Sequence, residues 1–203
     1  MKIEAKLLSF LYLAERLKME LRHSWMSDSR EESVAEHVWR VSLMVILCHP
    51  YLDQKIDIEK SLKMAVIHDI AEVITGDVPY FYIPEGSKAK KQKILEERKA
   101  IQDIKEDLGN IVGEEIESLW EEYEKNETYE AKFVKALDKL EAQMQRNQAP
   151  LDTWNDQERR DLPGRLDQFC NFDSFLVKLK EMIQEQCLEK MEKEVLSHKG
   201  ISS

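Results

Sequence analysis

His68-Asp69-Ile70-Ala71-Glu72-Val73-Ile74-Thr75-Gly76-Asp77 is the stretch on which the reading of this chain turns. Its apolar residues continue a stripe at helical spacing that begins upstream: Leu62, Ala65, Val66, Ile70 and Val73. That stripe predicts a helix from near Asp57 through Val73, with Gly76 as its C-terminal stop. His68 and Asp69 interrupt the stripe, Asp69 three residues after Val66. A carboxylate buried alone is costly, so inward-facing acids are normally paired or bound to metal.

The same anomaly recurs on two other helices. Ser33-Val34-Ala35-Glu36 reads as a capping box that opens a helix running to about Cys48, where Pro50 stops it. Its stripe is Val34, Val41, Met44, Val45 and Cys48, and His37 sits within it. A helix capped by Thr128 covers roughly 129–147 with Phe133, Val134, Leu137, Leu140 and Met144 inward, and Asp138 on the edge of that stripe. Two imidazoles and two carboxylates therefore point inward with no basic residue on those stripes. Mixed His and carboxylate donors suit a divalent Mn, Fe, Co or Zn ion. A closed thiolate site is excluded, because Cys48, Cys170 and Cys187 are widely spaced and form no CxxC. On pattern alone the rival reading stays open: hydrogen-bonded core histidines, with Asp138 pairing locally with Lys135 or Lys139.

Helical periodicity extends over the rest of the chain. A first helix is expected over about 3–20, with Leu7, Phe10, Leu11, Ala14 and Leu17 inward, followed by a polar stretch from His23 to Glu32. Tyr80, Phe81 and Tyr82 stand in a loop between Pro79 and Pro84; either base stacking or anchoring on the core fits them. A charged helix over about 87–108 carries Lys88, Lys90, Lys91 and Lys93, read as a solvated face. A helix over about 113–125, an irregular loop over 148–166 and a last helix over about 173–197 complete the chain. The expectation is a single all-α domain of about seven helices over 1–203, its core within about 5–180.

Composition agrees. Among 203 residues there are only six Gly and five Pro, which favours helices over a turn-rich sandwich or barrel. The charge is −10, from 40 acids against 30 Lys plus Arg, which argues against a nucleic-acid polymer as partner. No run reaches the roughly 18 apolar residues of a membrane span. The charged N-terminus does not read as a signal peptide, and unpaired cysteines suit a reducing, cytoplasmic protein. Residues 111–130 hold eight Glu and one Lys, read as a solvated face. An acidic protein repels anionic substrates unless something local reverses the field.

His37, His68-Asp69 and Asp138 together resemble the H…HD…D signature of HD-domain metal-dependent phosphohydrolases. The segments Glu32-Ser33-Val34-Ala35-Glu36-His37, His68 to Asp77 and Ala131 to Asp138 are similar to the 5′-deoxynucleotidase branch of that family, as are Trp120 to Glu124 and Pro163-Gly164-Arg165-Leu166. The similarity spans roughly residues 5–180. It implies an HD-type helical bundle in which His37, His68, Asp69 and Asp138 hold one divalent ion (Mn, Co, Fe, Zn or Mg). It implies that Glu72 and Asp77 are catalytic, that Arg22 and Trp25 contact a small nucleotide substrate, and that the chain forms a homodimer. Helical spacing adds that Glu72 shares a face with His68 and Asp69. The segment between Trp25 and His37 departs from the family in carrying Ser27-Asp28-Ser29 where an Arg often stands, which leaves Arg30 as the substitute donor. The expected reaction is hydrolysis of (deoxy)nucleoside 5′-monophosphates to nucleoside and phosphate. Another nucleotide phosphomonoesterase or phosphodiesterase, or a metal- and nucleotide-binding module without turnover, is the alternative.

Overall fold

The computed structural model describes residues 2–78, 87–156, 159 and 165–198. The aromatic loop 80–82 and the Pro163-Gly164 turn lie outside them.

Helix α1 (Ile3–Ala14) is shorter than its periodicity suggests and tightens into a 3-10 turn, Glu15–Lys18. Its stripe is only partly covered. Leu17 is buried, while Leu11 is 65% exposed and Tyr12 69%, because α1 rests chiefly on α5 rather than inside the bundle. The polar stretch that follows is a hairpin. Strand β1 (Leu21–Trp25) pairs antiparallel with β2 (Glu31–Ser33), Leu21 opposite Ser33 and Trp25 opposite Glu31, with a bulge between. Ser29, at φ +70°, and the Met26 N–H bond to the Arg30 carbonyl (2.7 Å) close its turn.

Helix α2 (Val34–Cys48) starts at the expected capping box: Glu36 N–H donates to Ser33 Oγ, and Ser33 N–H donates to the Glu36 carboxylate at 2.9 Å. Helix α3 (Ile58–Ile67) is capped by Asp57. The expected continuation through Val73 is broken at residues 68–71. Ile70 N–H donates to the Ile67 carbonyl (2.9 Å) and Glu72 N–H to the Asp69 carbonyl (3.0 Å), three residues back instead of four. A single helical turn, α4 (Glu72–Thr75), follows, and Gly76 (φ +74°) ends it. Val66, expected inside, is 53% exposed, since α3 buries the face bearing Ser61, Met64 and Ala65.

Helix α5 (Lys88–Leu108) buries Ala100, Ile101, Ile104 and Leu108. Helix α6 (Asn110–Lys125) ends at left-handed Asn126, and α7 (Tyr129–Gln148) begins at the Thr128 cap. A short helix α8 (Asp167–Cys170) and the long α9 (Ser174–His198) close the fold. Helix α7 is the axis of the core. Phe133, Val134, Ala136, Leu137 and Leu140 are wholly buried against Val41 and Val45 of α2, Met64 and Ala65 of α3, and Leu176 of α9. A second cluster joins Val34, Val73, Ile101, Ile104, Leu108 and Trp120. The result is an all-α fold carrying one small hairpin.

The glutamates of α6 are not simply solvated. Glu115 meets Lys63 at 2.7 Å, Glu122 meets Lys60 at 2.9 Å, Glu117 meets Lys105 at 2.6 Å and Glu124 meets Lys135 at 3.0 Å. Each lysine comes from a neighbouring helix, so the acid excess stitches α6 to α3, α5 and α7.

Candidate metal centre

Helices α2, α3 and α7 pack on one another, and that contact brings the inward polar residues together. His37 comes from the first turn of α2, and His68 and Asp69 from the broken segment after α3. Asp138 comes from the middle of α7. His37 Nε2 lies 3.3 Å from Asp138 Oδ1 and 3.8 Å from Asp69 Oδ2. His68 Nε2 lies 3.2 Å from Asp69 Oδ2. His37, His68 and Asp69 thus offer three donors within reach of one another, and Asp138 joins them through His37.

The other ring nitrogens set the tautomers. His68 Nδ1 faces the Ala65 carbonyl at 2.8 Å, and a carbonyl can only accept, so Nδ1 carries the proton. His37 Nδ1 is bonded to the carboxylate of Glu141. Both Nε2 atoms are buried without a hydrogen bond. Two orphaned imidazole lone pairs aimed at two carboxylates fit a divalent cation.

The charges agree. Burial opposes ionisation of Asp138, but Lys139 and His37 hold it well below the usual carboxylate range. Asp69, likewise opposed by burial, is held down by His68 and His37. Asp138 Oδ2 also accepts from the Tyr123 hydroxyl at 2.7 Å. Burial and Arg22 oppose a charged His37, yet Glu141 and Asp138 carry it up to about 9. Proton and metal ion therefore compete for this pocket.

Around the four lie the other expected residues. Glu72 is buried, with Oε2 unpartnered. Burial, then Asp69 and Asp77, lift its carboxyl well above the ordinary range. The helical face argument for Glu72 does not hold, because the helix breaks between His68 and Glu72; the turn delivers it instead. Asp77 is half-buried just beyond Gly76, and its N–H is held by Glu20 at 2.9 Å. Arg22 reaches in from β1, 3.5 Å from Asp69 and 3.6 Å from Glu32. Trp25 ends the same strand, its indole N–H buried and without a hydrogen bond. Arg30 does not join them. Its guanidinium is taken up by Glu36 at 2.6 and 3.0 Å on the exposed start of α2.

Several residues escaped the sequence reading. Lys93 of α5, assigned there to a solvated face, extends to within 3.9 Å of Glu72 and 3.3 Å of Glu97. Glu32 and Glu141 are buried beneath His37, and Tyr123 holds Asp138. Glu141 had a signal: it lies four residues after Leu137, on the buried stripe of α7. Glu32 and Lys93 had none, because their positions depend on the hairpin and on the α4–α5 contact.

A family model described as an HD domain matches residues 14–169, a span that contains all four converging residues. The chain belongs to the HD-domain family. Its relatives include the 5′-deoxynucleotidase HDDC2 of Xenopus laevis, 34% identical over 180 residues, which cover 88% of this chain and 83% of that protein. The human 5′-deoxynucleotidase HDDC2 is 33% identical over 180 residues, 88% of this chain and 81% of that protein. Among solved structures, a predicted metal-dependent phosphohydrolase from Magnetospirillum magnetotacticum aligns with a TM-score of 0.70 at 26% identity, covering 94% of this chain and 93% of that one.

Proposed function

We propose that this chain is a metal-dependent 5′-deoxynucleotidase, a hydrolase of phosphoric monoesters that releases nucleoside and inorganic phosphate from deoxynucleoside 5′-monophosphates. The observation that carries it is the pair of unpartnered imidazole Nε2 atoms facing Asp69 and Asp138, with a buried, unpaired Glu72 oxygen nearby.

His37, His68, Asp69 and Asp138 would hold one divalent ion (Mn, Co, Fe, Zn or Mg). Such an ion supplies positive charge against phosphoryl oxygens and acidifies water near neutral pH. The chain supplies the rest. Arg22 balances charge on the phosphoryl group as water attacks phosphorus in line with the departing 5′ oxygen. Burial and the neighbouring Asp69 and Asp77 oppose ionisation of Glu72, which suits it to hold a proton. It gives that proton to the departing oxygen as the P–O bond breaks, and takes one back from the attacking water. Asp77 assists by keeping Glu72 protonated. Trp25 offers its ring and free indole N–H to the nucleoside.

The reading extends to a homodimer in the cytoplasm. Support for the dimer is an uncovered apolar stripe on α2: Trp39 is 66% exposed, with Ile46 and Leu47 alongside. Support for the compartment is three buried free cysteines. Among the described residues, no helix is long and apolar enough to cross a membrane.

The test is phosphate release from ribo- and deoxyribonucleoside monophosphates with Mn, Co, Mg and Zn, by wild type and Asp69→Ala. The expectation is metal-dependent release by wild type alone. No release from any substrate in any metal refutes the activity, and equal release by Asp69→Ala refutes the ligand assignment.

A further inference from the structure

We propose that Glu141 and Arg40 are positioning residues of the metal centre: they hold His37 so that Nε2 faces the ion, and they tie that ligand to the hairpin bearing Trp25. The inference rests on the metal-centre reading above.

Glu141 is fully buried, and one of its oxygens takes the His37 Nδ1 proton. It therefore lies on the side of the ring opposite the vacant Nε2. Its other oxygen accepts from Arg40, whose Nε stands at 2.6 Å. Arg40 is three residues after His37, on the same face of α2. The same guanidinium donates to the side-chain carbonyls of Gln145 and Gln148 on α7. Gln145 is buried too, and its amide donates to the Trp25 carbonyl at 2.6 Å. The path His37–Glu141–Arg40–Gln145–Trp25 is continuous, with a hydrogen bond at each step.

A second metal site is the competing explanation, since Glu32, His37 and Glu141 also offer three donors within reach of one another. The cations already there exclude it. Arg40 lies on Glu141, and both Arg22 (3.6 Å) and Arg40 (3.9 Å) face Glu32. A dication placed among them would meet two guanidinium groups. Glu141 is neutralised by Arg40, and what remains for it is to orient His37. Lysine cannot substitute for Arg40, because a single ammonium cannot span Glu141 and Gln145 as a planar fork does.

The test is calorimetric titration of metal-free full-length chain with Mn(II) and Co(II). Wild type is expected to bind one ion, and Glu141→Gln to bind it about 10- to 100-fold more weakly. That variant leaves the half-buried Arg40 charge without its carboxylate, so Glu141→Gln/Arg40→Gln, which removes both charges, is measured alongside. It is expected to keep the wild-type circular dichroism and a cooperative unfolding transition, yet show the same weakened binding and a changed visible Co(II) spectrum. Wild-type affinity and spectrum in the folded double variant overturn the proposal. Gln145→Leu removes the bond to the hairpin and one of the Arg40 bonds, but leaves Arg40 on Glu141 and Glu141 on His37. It is expected to raise KM for a deoxynucleoside monophosphate about tenfold while metal affinity stays unchanged; an unchanged KM overturns the link to Trp25. Failure of wild type itself to bind either ion is a different outcome and strikes the metal-centre reading instead.

Discussion

The Glu72 carboxylate stands 3.9 Å from the Lys93 ammonium, too far for a hydrogen bond, and its second oxygen is buried without a partner. A carboxyl so placed is poised to exchange a proton with a ligand. Glu72→Gln keeps the shape and removes that capacity. Turnover should fall by about 10²–10⁴-fold while the metal content of the purified protein stays at the wild-type level. Phosphate-release kinetics and metal analysis on the same sample check this; an active Glu72→Gln enzyme refutes the role.

Lys93, like Arg22, is a cation beside this group of acids. Removing it with Lys93→Met leaves the metal ligands intact but takes positive charge from the mouth of the site. We expect kcat/KM for a nucleoside monophosphate to fall about tenfold, equivalent to about 1.4 kcal/mol. The loss should grow at low ionic strength, where attraction of an anion is least screened. Kinetics at two salt concentrations measure it.

Tyr123→Phe removes the 2.7 Å hydrogen bond to Asp138 while keeping the buried ring. Asp138 retains Lys139 at 2.9 Å, so the fold should survive. The expected effect is roughly tenfold weaker binding of a divalent ion, read by competition with a chromogenic chelator. Unchanged affinity would show that the hydroxyl does not orient this ligand.

Gly76 sits at φ +74°, and a Cβ there would come within 3.1 Å of Glu20 Oε1. That oxygen holds the Asp77 N–H. Gly76→Ala should therefore cost about 1–3 kcal/mol of stability, because the extended positive-φ backbone there is one that glycine alone adopts readily, and lower turnover by displacing Asp77. Urea unfolding and kinetics measured together test both halves.

The capping carboxylate of Glu36 is held down to about 2, chiefly by Arg30 and then by the Ser33 N–H. A folded-state pKa below the unfolded value of 4.5 gives stability that is present above that value and lost as pH falls through about 2. Glu36→Gln should thus unfold at lower urea than wild type near neutral pH, and the gap should narrow steadily as pH drops below 4.5. A gap that does not change with pH would mean the charge contributes nothing.

Much of the candidate site was legible before folding because its proposed ligands break strong local patterns. His37 and Asp138 interrupt or edge apolar stripes that α2 and α7 do bury. The Ser33 cap needs only residues three apart, and the structure reproduces it. Periodicity was less reliable at helix ends. It carried α3 through Val73, although the chain turns at residues 68–71 with three-residue hydrogen bonds that apolar spacing does not encode. The hairpin from Leu21 to Ser33 was missed for a related reason: its strands are short and lack alternating apolar residues, so only pairing defines them.

The sequence by itself determined most of the helices and the cap, since each follows from spacing within a few turns of chain, and its resemblance to the HD-domain phosphohydrolases singled out His37, His68, Asp69 and Asp138 as candidate ligands. Only the tertiary structure decided the shell around that set. Glu141 reaches His37 across 104 positions and Gln145 reaches Trp25 across 120. Arg40 carries no signal in the sequence and becomes the centre of a polar network only when α7 packs against it. Long-range polar contacts depend on how buried faces interlock, and no local period records which distant partner a buried charge will meet.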